Sequence, residues 1–331
     1  MSNAMEKIAL AKPGSAGAKQ KLLAFASLII LMAVFSIASP NFFQSNNLIA
    51  IMLATAVNGV LAVGVSFVII TGGIDLSIGT TMTFAAVITA KVTVQLGMPV
   101  AVGVLAGILA GLVCGLLSGV MVAKLKLPPF IATLGMMMVT KGMSLIMAQN
   151  RPIYFTDAPA FSQISMGSIL SFIKDFKIPN AVLIFFGVAV LASVILNKTV
   201  FGRYTFALGS NEEAVRLSGV NTDRWKIGVY GTCGAISGVA GILIASRLNS
   251  AQPALGQGYE MDAIAAVVIG GTSVSGGEGT VLGAMIGVLL LTVVTNAFNL
   301  LGVPVFIQYV IKGLIILVVV GIDSYSKKKP R

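Results

Sequence analysis

Six ionisable residues stand inside or beside long apolar runs: Asp75, Lys141, Glu260, Asp262, Glu278 and Lys312. A charge at bilayer depth costs free energy, so each is a candidate for function. Acids held well inside spans could bind a driving proton or sodium ion. These acids stand instead at the ends of predicted helices, which counts against ion-driven transport. There a carboxylate accepts the orphan N–H groups of a first turn. Asp75 is placed to cap a helix starting near Leu76, and Glu260 and Asp262 to cap one starting near 259. Lys141 and Lys312 could pair with these acids or reach toward an interface.

The neutral polar residues among the apolar runs are Asn58, Thr71, Thr80, Thr81, Thr83, Thr272, Ser273, Ser275, Asn296 and Asn299. With glycine backbone they suit a neutral polyhydroxyl solute better than an ion. They would equally suit close packing of helices through small polar groups. The candidates for a solute path are Asn58, Gly72, Gly73, Asp75, Gly270, Gly271, Thr272, Ser273 and Asn296.

Other chemistry is excluded. There is no histidine, hence no His-based metal site and no Ser-His-Asp machinery. Cys114 and Cys233 both lie within apolar runs, which argues against a thiol nucleophile or a structural disulfide. No G-x-x-x-x-G-K-[ST] stretch is present, so the chain carries no P-loop of its own.

The elements that must hold these residues are membrane helices. The chain is 56% hydrophobic and 10% charged, too little polar material to clothe a soluble domain. Apolar runs near 22–39, 48–70, 77–94, 99–123, 129–148, 180–197, 227–246, 259–271, 280–298 and 305–322 predict an all-α polytopic membrane protein of about ten transmembrane helices. Its net charge of +11 is topological rather than a nucleic-acid signal. With the N-terminus inside, fifteen basic residues fall on the cytoplasmic side and five (Lys91, Arg151, Lys174, Lys177, Arg247) outside. Both termini are therefore expected in the cytoplasm. Residues 1–21 read as an expression scar (Met1 to Ala4) and a cytoplasmic tail, 22–322 as one transmembrane domain, and 323–331 as a basic cytoplasmic tail. The longest loops are 149–179 outside and 198–226 inside.

Two glycine patterns stand out. Gly103, Gly107, Gly111, Gly115 and Gly119 put a smooth stripe on one helix face, and Gly231, Gly234, Gly238 and Gly241 form a similar one. Packing within the chain is the principal reading, a subunit interface the alternative. The stretches "TGGIDLSIGTT" (71–81) and "GGTSVSGGEGT" (270–280) each follow an apolar run and lead into another. Two readings fit them: helices broken near mid-membrane, or tight cytoplasmic turns.

The inner loop holds "SNEEAVRLSGVNTDRWK" (210–226), with six of the chain's 33 charged residues and its only tryptophan, Trp225. Residues 211–218 predict a short amphipathic helix. Asn211 is the N-cap, Glu212 and Glu213 complement the helix dipole, and Gly219 ends it. Ala214, Val215 and Leu217 supply apolar contacts and Arg216 a further charge. Such a knob fits docking into a soluble partner, and the missing P-loop suggests which.

"GRYTFALGSNEEAVRLSGVN" (202–221) and "RLNSAQPALGQGYEMDAIAAVVIGGTSVSGGEGTVLGAMIG" (247–287) resemble the sugar permeases of ATP-binding cassette importers. "SPNFFQSNNL" (39–48), "GGIDLSIGT" (72–80) and "FIATLGMMM" (130–138) agree, so the resemblance runs from about Ser39 to Asp323. It implies an importer transmembrane domain in the bacterial inner membrane that is not itself an enzyme and binds no cofactor. It implies a second permease copy and a cytoplasmic ATPase that binds ATP and magnesium. It also implies a periplasmic or lipid-anchored sugar-binding protein. Ribose is the first expectation, with xylose, galactose or a furanosyl signal such as autoinducer-2 as alternatives. The family's coupling pattern, an acidic-Ala pair followed by glycine, falls on Glu213, Ala214 and Gly219, with four residues rather than three before the glycine. A secondary carrier and a membrane-embedded enzyme are the readings from other classes.

The charge distribution is directly testable. In a Cys114→Ser, Cys233→Ser background, Ser210→Cys is expected to resist an impermeant thiol reagent in intact cells and to react after permeabilisation. Labelling in intact cells would overturn the topology.

Overall fold

The computed structural model describes residues 15–169 and 178–328. Parts of both tails and residues 170–177 of the long outer loop lie outside the described residues. The helices are α1 (Ser15–Ala38), α2 (Ser45–Ile70), α3 (Ile78–Ala90), α4 (Val100–Ala123), α5 (Pro129–Met147), α6 (Gln163–Met166), α7 (Asn180–Lys198), α8 (Val200–Leu217), α9 (Thr222–Leu248), α10 (Tyr259–Ile269), α11 (Val281–Leu300) and α12 (Val305–Lys328). Each of the ten apolar runs is occupied by a helix. Among the described residues six of them, α2, α4, α5, α7, α9 and α11, are long and apolar enough to cross a membrane by themselves. The count of about ten spans is therefore not reached by length alone. The clearest shortfalls are α3, with 13 residues plus a π-helical turn at Lys91–Gln95, and α10, with 11 residues.

The centre is α2, whose residues from Gly59 to Ile70 are all buried. It packs on α7, α9, α10 and α11. Beside it, α3, α4 and α9 form a tight trio. Glycine explains how tight. A Cβ on Gly111 would strike the Gly234 carbonyl, and one on Gly234 would strike that of Gly111. Gly115 faces Tyr230 and Gly234, Gly119 faces Ile227, and Gly241 lies on Met82 of α3. Gly103 and Gly107 meet Thr93 and Thr89 at the outer end of α3. The stripe therefore packs within the chain. On the opposite face of α4, Val102, Leu105, Leu109, Val113 and Leu117 remain exposed, as lipid-facing positions should.

The described part of the predicted outer loop, 149–179, is built rather than irregular. Ile153 and Tyr154 pair antiparallel with Ala251 and Ser250, and Phe155 stacks on Phe161 at 3.7 Å. Ser246 Oγ donates to Phe161 O at 2.7 Å and accepts from Ser165 N at 2.9 Å. The inner loop is also not a loop. Residues 200–217 are helical apart from a break at Asn211, and α9 begins at Thr222, five residues before the apolar run suggests. The amphipathic first turns of α9 hide its start from hydropathy.

Gly111→Val places branched atoms against the α9 backbone, and overpacking of this kind costs about 1–3 kcal/mol. The variant should lose melting temperature and monodispersity in detergent, whereas Val113→Leu on the lipid face should leave both unchanged. Size-exclusion-coupled thermal melts read the difference.

Candidate functional site

Helix α5 gives a ruler for depth. At 1.5 Å per residue its 19 residues span about 28 Å. Near its start, Thr133 Oγ1 reaches Ile74 O at 3.4 Å. About 10 Å further along, roughly 16 Å from the helix start, Thr140 Oγ1 lies 2.7 Å from Thr80 Oγ1. The stretch 71–77 thus climbs from near the start of α5 to about mid-depth, where α3 begins. A second break answers it from the other side. Residues 249–258 follow α9 inward, and Leu255 O accepts from Thr83 Oγ1 at 2.7 Å. The backbones of Gly79 and Gly256 lie in direct contact, with no room for a Cβ on either. So α3 and α10 both start at mid-depth, side by side.

Each break satisfies its own polar groups. Asp75 is buried, and its Oδ1 accepts from Ser77 N at 2.9 Å and Ser77 Oγ at 2.6 Å. The carboxylate thereby fixes the turn that enters α3. Glu260 reaches back to accept the Gly258 N–H at 3.0 Å. Asp262 does not cap α10; it pairs with Lys312 of α12 at 2.9 Å. Among the described residues Lys141 takes no acid as partner but donates to Gln257 Oε1 at 2.7 Å.

The proposed path residues divide between two places. Asn58 and Asn296 line one cavity of about 190 Å³, together with Arg247, Asp262, Thr292, Thr295 and Asn299. This is below the roughly 300–1,000 Å³ of pockets for drug-sized ligands, and so suits a small molecule. Asn58 Oδ1 is buried there without a hydrogen-bond partner among the described residues. Asn296 is held by Asn47 through two amide hydrogen bonds, at 2.8 and 3.1 Å. Gly72, Gly73, Asp75, Gly270, Gly271, Thr272 and Ser273 do not line this cavity. They lie beyond its inner side, around the two glycine-rich stretches. Sequence reasoning passed over Arg247, Thr292 and Thr295 as lining. The last two had a signal, since Thr292, Thr295, Asn296 and Asn299 follow the i, i+3, i+4, i+7 spacing of one helix face. The break at 249–258 was missed as well, although Pro253, Gly256 and Gly258 punctuate it.

The glycine-rich stretch 270–280 is a turn between α10 and α11, where Ser273 N donates to Glu278 O at 3.1 Å. Gly271, Gly276 and Gly277 all have positive φ. This turn meets the other stretch directly: Gly277 N donates to Ile70 O at 2.8 Å. Gly72 has φ of +78°, and a Cβ on Gly73 would lie 2.7 Å from the Tyr230 hydroxyl. Into this junction fits Gly209 of α8, whose Cβ would collide with Ile70 O and Gly277 N.

Two residues later α8 breaks, at Asn211 with φ −162° and ψ 94°. Asn211 Oδ1 accepts from Ala214 N at 2.9 Å and so caps a new short helix that ends at Leu217. Gly219 follows with φ of +82°, and Val220 N closes back toward Val215 O. Glu213 binds Arg216 at 2.7 Å on the open surface, and this hydrogen bond raises the Arg216 pKa further above its ordinary range. Exposed pairs add little, so the cap, worth about 1 kcal/mol, and the glycine stop hold the shape. Glu212 binds Lys226 of α9 at 2.6 Å, and Trp225 packs on Tyr204 at 4.7 Å between ring centres. Lys126, before α5, binds Asp223 at 2.9 Å. Leu217 and the Glu213–Arg216 pair stay exposed. The knob is thus tied to α9 through Glu212, α9 is tied to the α4–α5 connection through Asp223, and Gly209 just before the knob rests on both glycine turns.

Known proteins were compared with this chain. The family model described as branched-chain amino acid transport system / permease component matches residues 47–320. The ribose import permease protein of Escherichia coli K12 is 41% identical over 301 residues, 90% of this chain and 92% of that protein. That of Bacillus subtilis 168 is also 41% identical, over 93% of this chain and 94% of its own. The L-arabinose transport system permease protein of E. coli K12 is 38% identical, over 94% and 91%. No solved structure matches significantly.

Gly209→Val should wedge α8 away from the two turns. Amide exchange at residues 275–278 is then expected to rise about tenfold or more as the Gly277–Ile70 hydrogen bond is lost. Unchanged exchange would mean that the knob is not seated on this junction.

Proposed function

Because this chain belongs to the branched-chain amino acid transport system / permease component family, we propose that it is the membrane-spanning permease subunit of an ATP-binding cassette importer for a monosaccharide, ribose foremost. The observation that carries the reading is the capped knob at 211–219, seated on the turns that lead into α3 and α11. A separate cytoplasmic ATPase binds ATP and magnesium and docks on the knob. Asn211, Glu212, Glu213, Ala214, Arg216, Leu217 and Gly219 form the coupling surface. Two copies of the chain work together, each with ten passes and both termini in the cytoplasm. A periplasmic or lipid-anchored binding protein delivers the sugar from outside.

The neutral amides and hydroxyls of the Asn58–Asn296 cavity supply hydrogen bonds of the kind a sugar needs, and the relatives named for ribose and arabinose import support the sugar class. Gly72, Gly73, Asp75, Gly270, Gly271, Thr272 and Ser273 serve this path from the inner side, as the turns that transmit the knob's movement.

Shape and charge of the knob separate in two variants. Gly219→Pro forbids the positive φ that closes the helix, and Glu213→Arg puts a cation at the positive helix end and against Arg216. Both should insert in the membrane yet lose co-purification of the cognate ATPase and uptake of radiolabelled D-ribose, by at least tenfold. Glu212→Gln should be milder. Wild-type pull-down and uptake in both severe variants would sink the coupling role.

A further inference from the structure

Lys141 stands about 18 Å along the 28 Å of α5, close to mid-depth. Its neighbours on the outward face of α5 are Leu134, Gly135, Met138, Val139, Gly142 and Ile146, and nothing lies within 4 Å of where a Cβ would sit on Gly135 or Gly142. Among the described residues no carboxylate lies within ion-pair distance of Lys141. Its ammonium turns along the face to Gln257 Oε1, not toward the helix end. Next to it the chain is irregular: Ala254, Gln257 and Gly258 of the mid-depth break are exposed. Irregular backbone at membrane depth is tolerated only inside protein or along water, and an unpaired cation facing lipid tails is costly. Two independent features thus exclude lipid from the same patch.

We infer that Lys141 and Gln257 line a water-filled solute path at mid-depth, with Lys141 donating hydrogen bonds to hydroxyl groups of the passing solute. The inference rests on the permease reading and deepens it. The open side of the path is closed by the second copy of the chain, whose own α5 approaches over Gly135 and Gly142. Three donors on a flexible stem fit a polyhydroxyl solute, and Gln257 holds the ammonium in the path when no solute is present.

Single cysteines at Lys141, Gln257 and Leu117 are introduced into the Cys114→Ser, Cys233→Ser chain, which is assembled with its ATPase and sugar-binding protein in liposomes. Leu117, on the outward face of α4, is the lipid-side control. A water-soluble methanethiosulfonate should modify Lys141→Cys and Gln257→Cys at least tenfold faster than Leu117→Cys. Equal rates would place the patch in lipid and overturn the path. In the second arm Lys141→Met should lower D-ribose uptake at saturating sugar by fivefold or more, with ATPase co-purification intact, and Lys141→Arg should keep most of it. Unchanged uptake in Lys141→Met would overturn the hydrogen-bonding role. The labelling contrast needs no transported sugar. Failure of the wild-type assembly to take up D-ribose would therefore count against the assigned sugar, while labelling still decides the path.

Discussion

A backbone N–H or C=O without a partner is not tolerated in the hydrocarbon of a bilayer, and this constraint shapes the whole chain. Two segments leave helical geometry at mid-depth, so each must find its partners inside the protein. Asp75 takes the Ser77 N–H, Glu260 takes the Gly258 N–H, and Thr83 supplies a donor to Leu255 O. These are local solutions, but they need shielding. The shield is the trio of α3, α4 and α9, drawn together where glycine lets backbones touch. Without that contact the entrance to α3 would face lipid.

The same breaks make movement possible. A short helix that starts at mid-depth is a lever whose hinge is its leading turn. The turn before α3 and the turn before α11 are joined by one hydrogen bond, from Gly277 N to Ile70 O, and the Gly209 backbone rests on both. The knob follows within two residues. Lys226 binds its Glu212 to α9, Trp225 packs α9 on Tyr204 of α8, and α9 is the helix most closely packed against α4. The knob is therefore connected through α8 to both glycine turns and through Lys226 to the trio of α3, α4 and α9. The distance from knob to mid-depth is bridged by ordered helices.

Much of the candidate site was legible because it rests on local chemistry. Asn211 as a cap and Gly219 at positive φ follow from side-chain and backbone preferences that act within one turn. The glycine stripe follows from period alone, since four-residue spacing keeps one face of a helix smooth. The roles of Lys312 and Lys141 were open because pairing joins residues far apart in the chain. Lys312 found Asp262, fifty positions earlier. Lys141 found an uncharged glutamine, 116 positions later. The polar stripe on α11 was readable but has meaning only once Asn58 and Arg247 are brought opposite it.

By itself the sequence determined a membrane protein of helices, their positions along the chain, the knob and its ends. Hydropathy, capping and glycine conformation are properties of neighbours in sequence, so no partner was needed to read them. Only the tertiary structure decided at what depth the chain breaks. An apolar run of 18 residues looks the same whether it begins at the inner surface or halfway through. It took Thr80 against Thr140, and Gly79 against Gly256, to place the starts of α3 and α10 side by side. It also took the fold to separate the glycine-rich stretches. One climbs into the membrane while the other stays a turn, because close packing of α3 against α5 and α9 holds only the first at depth.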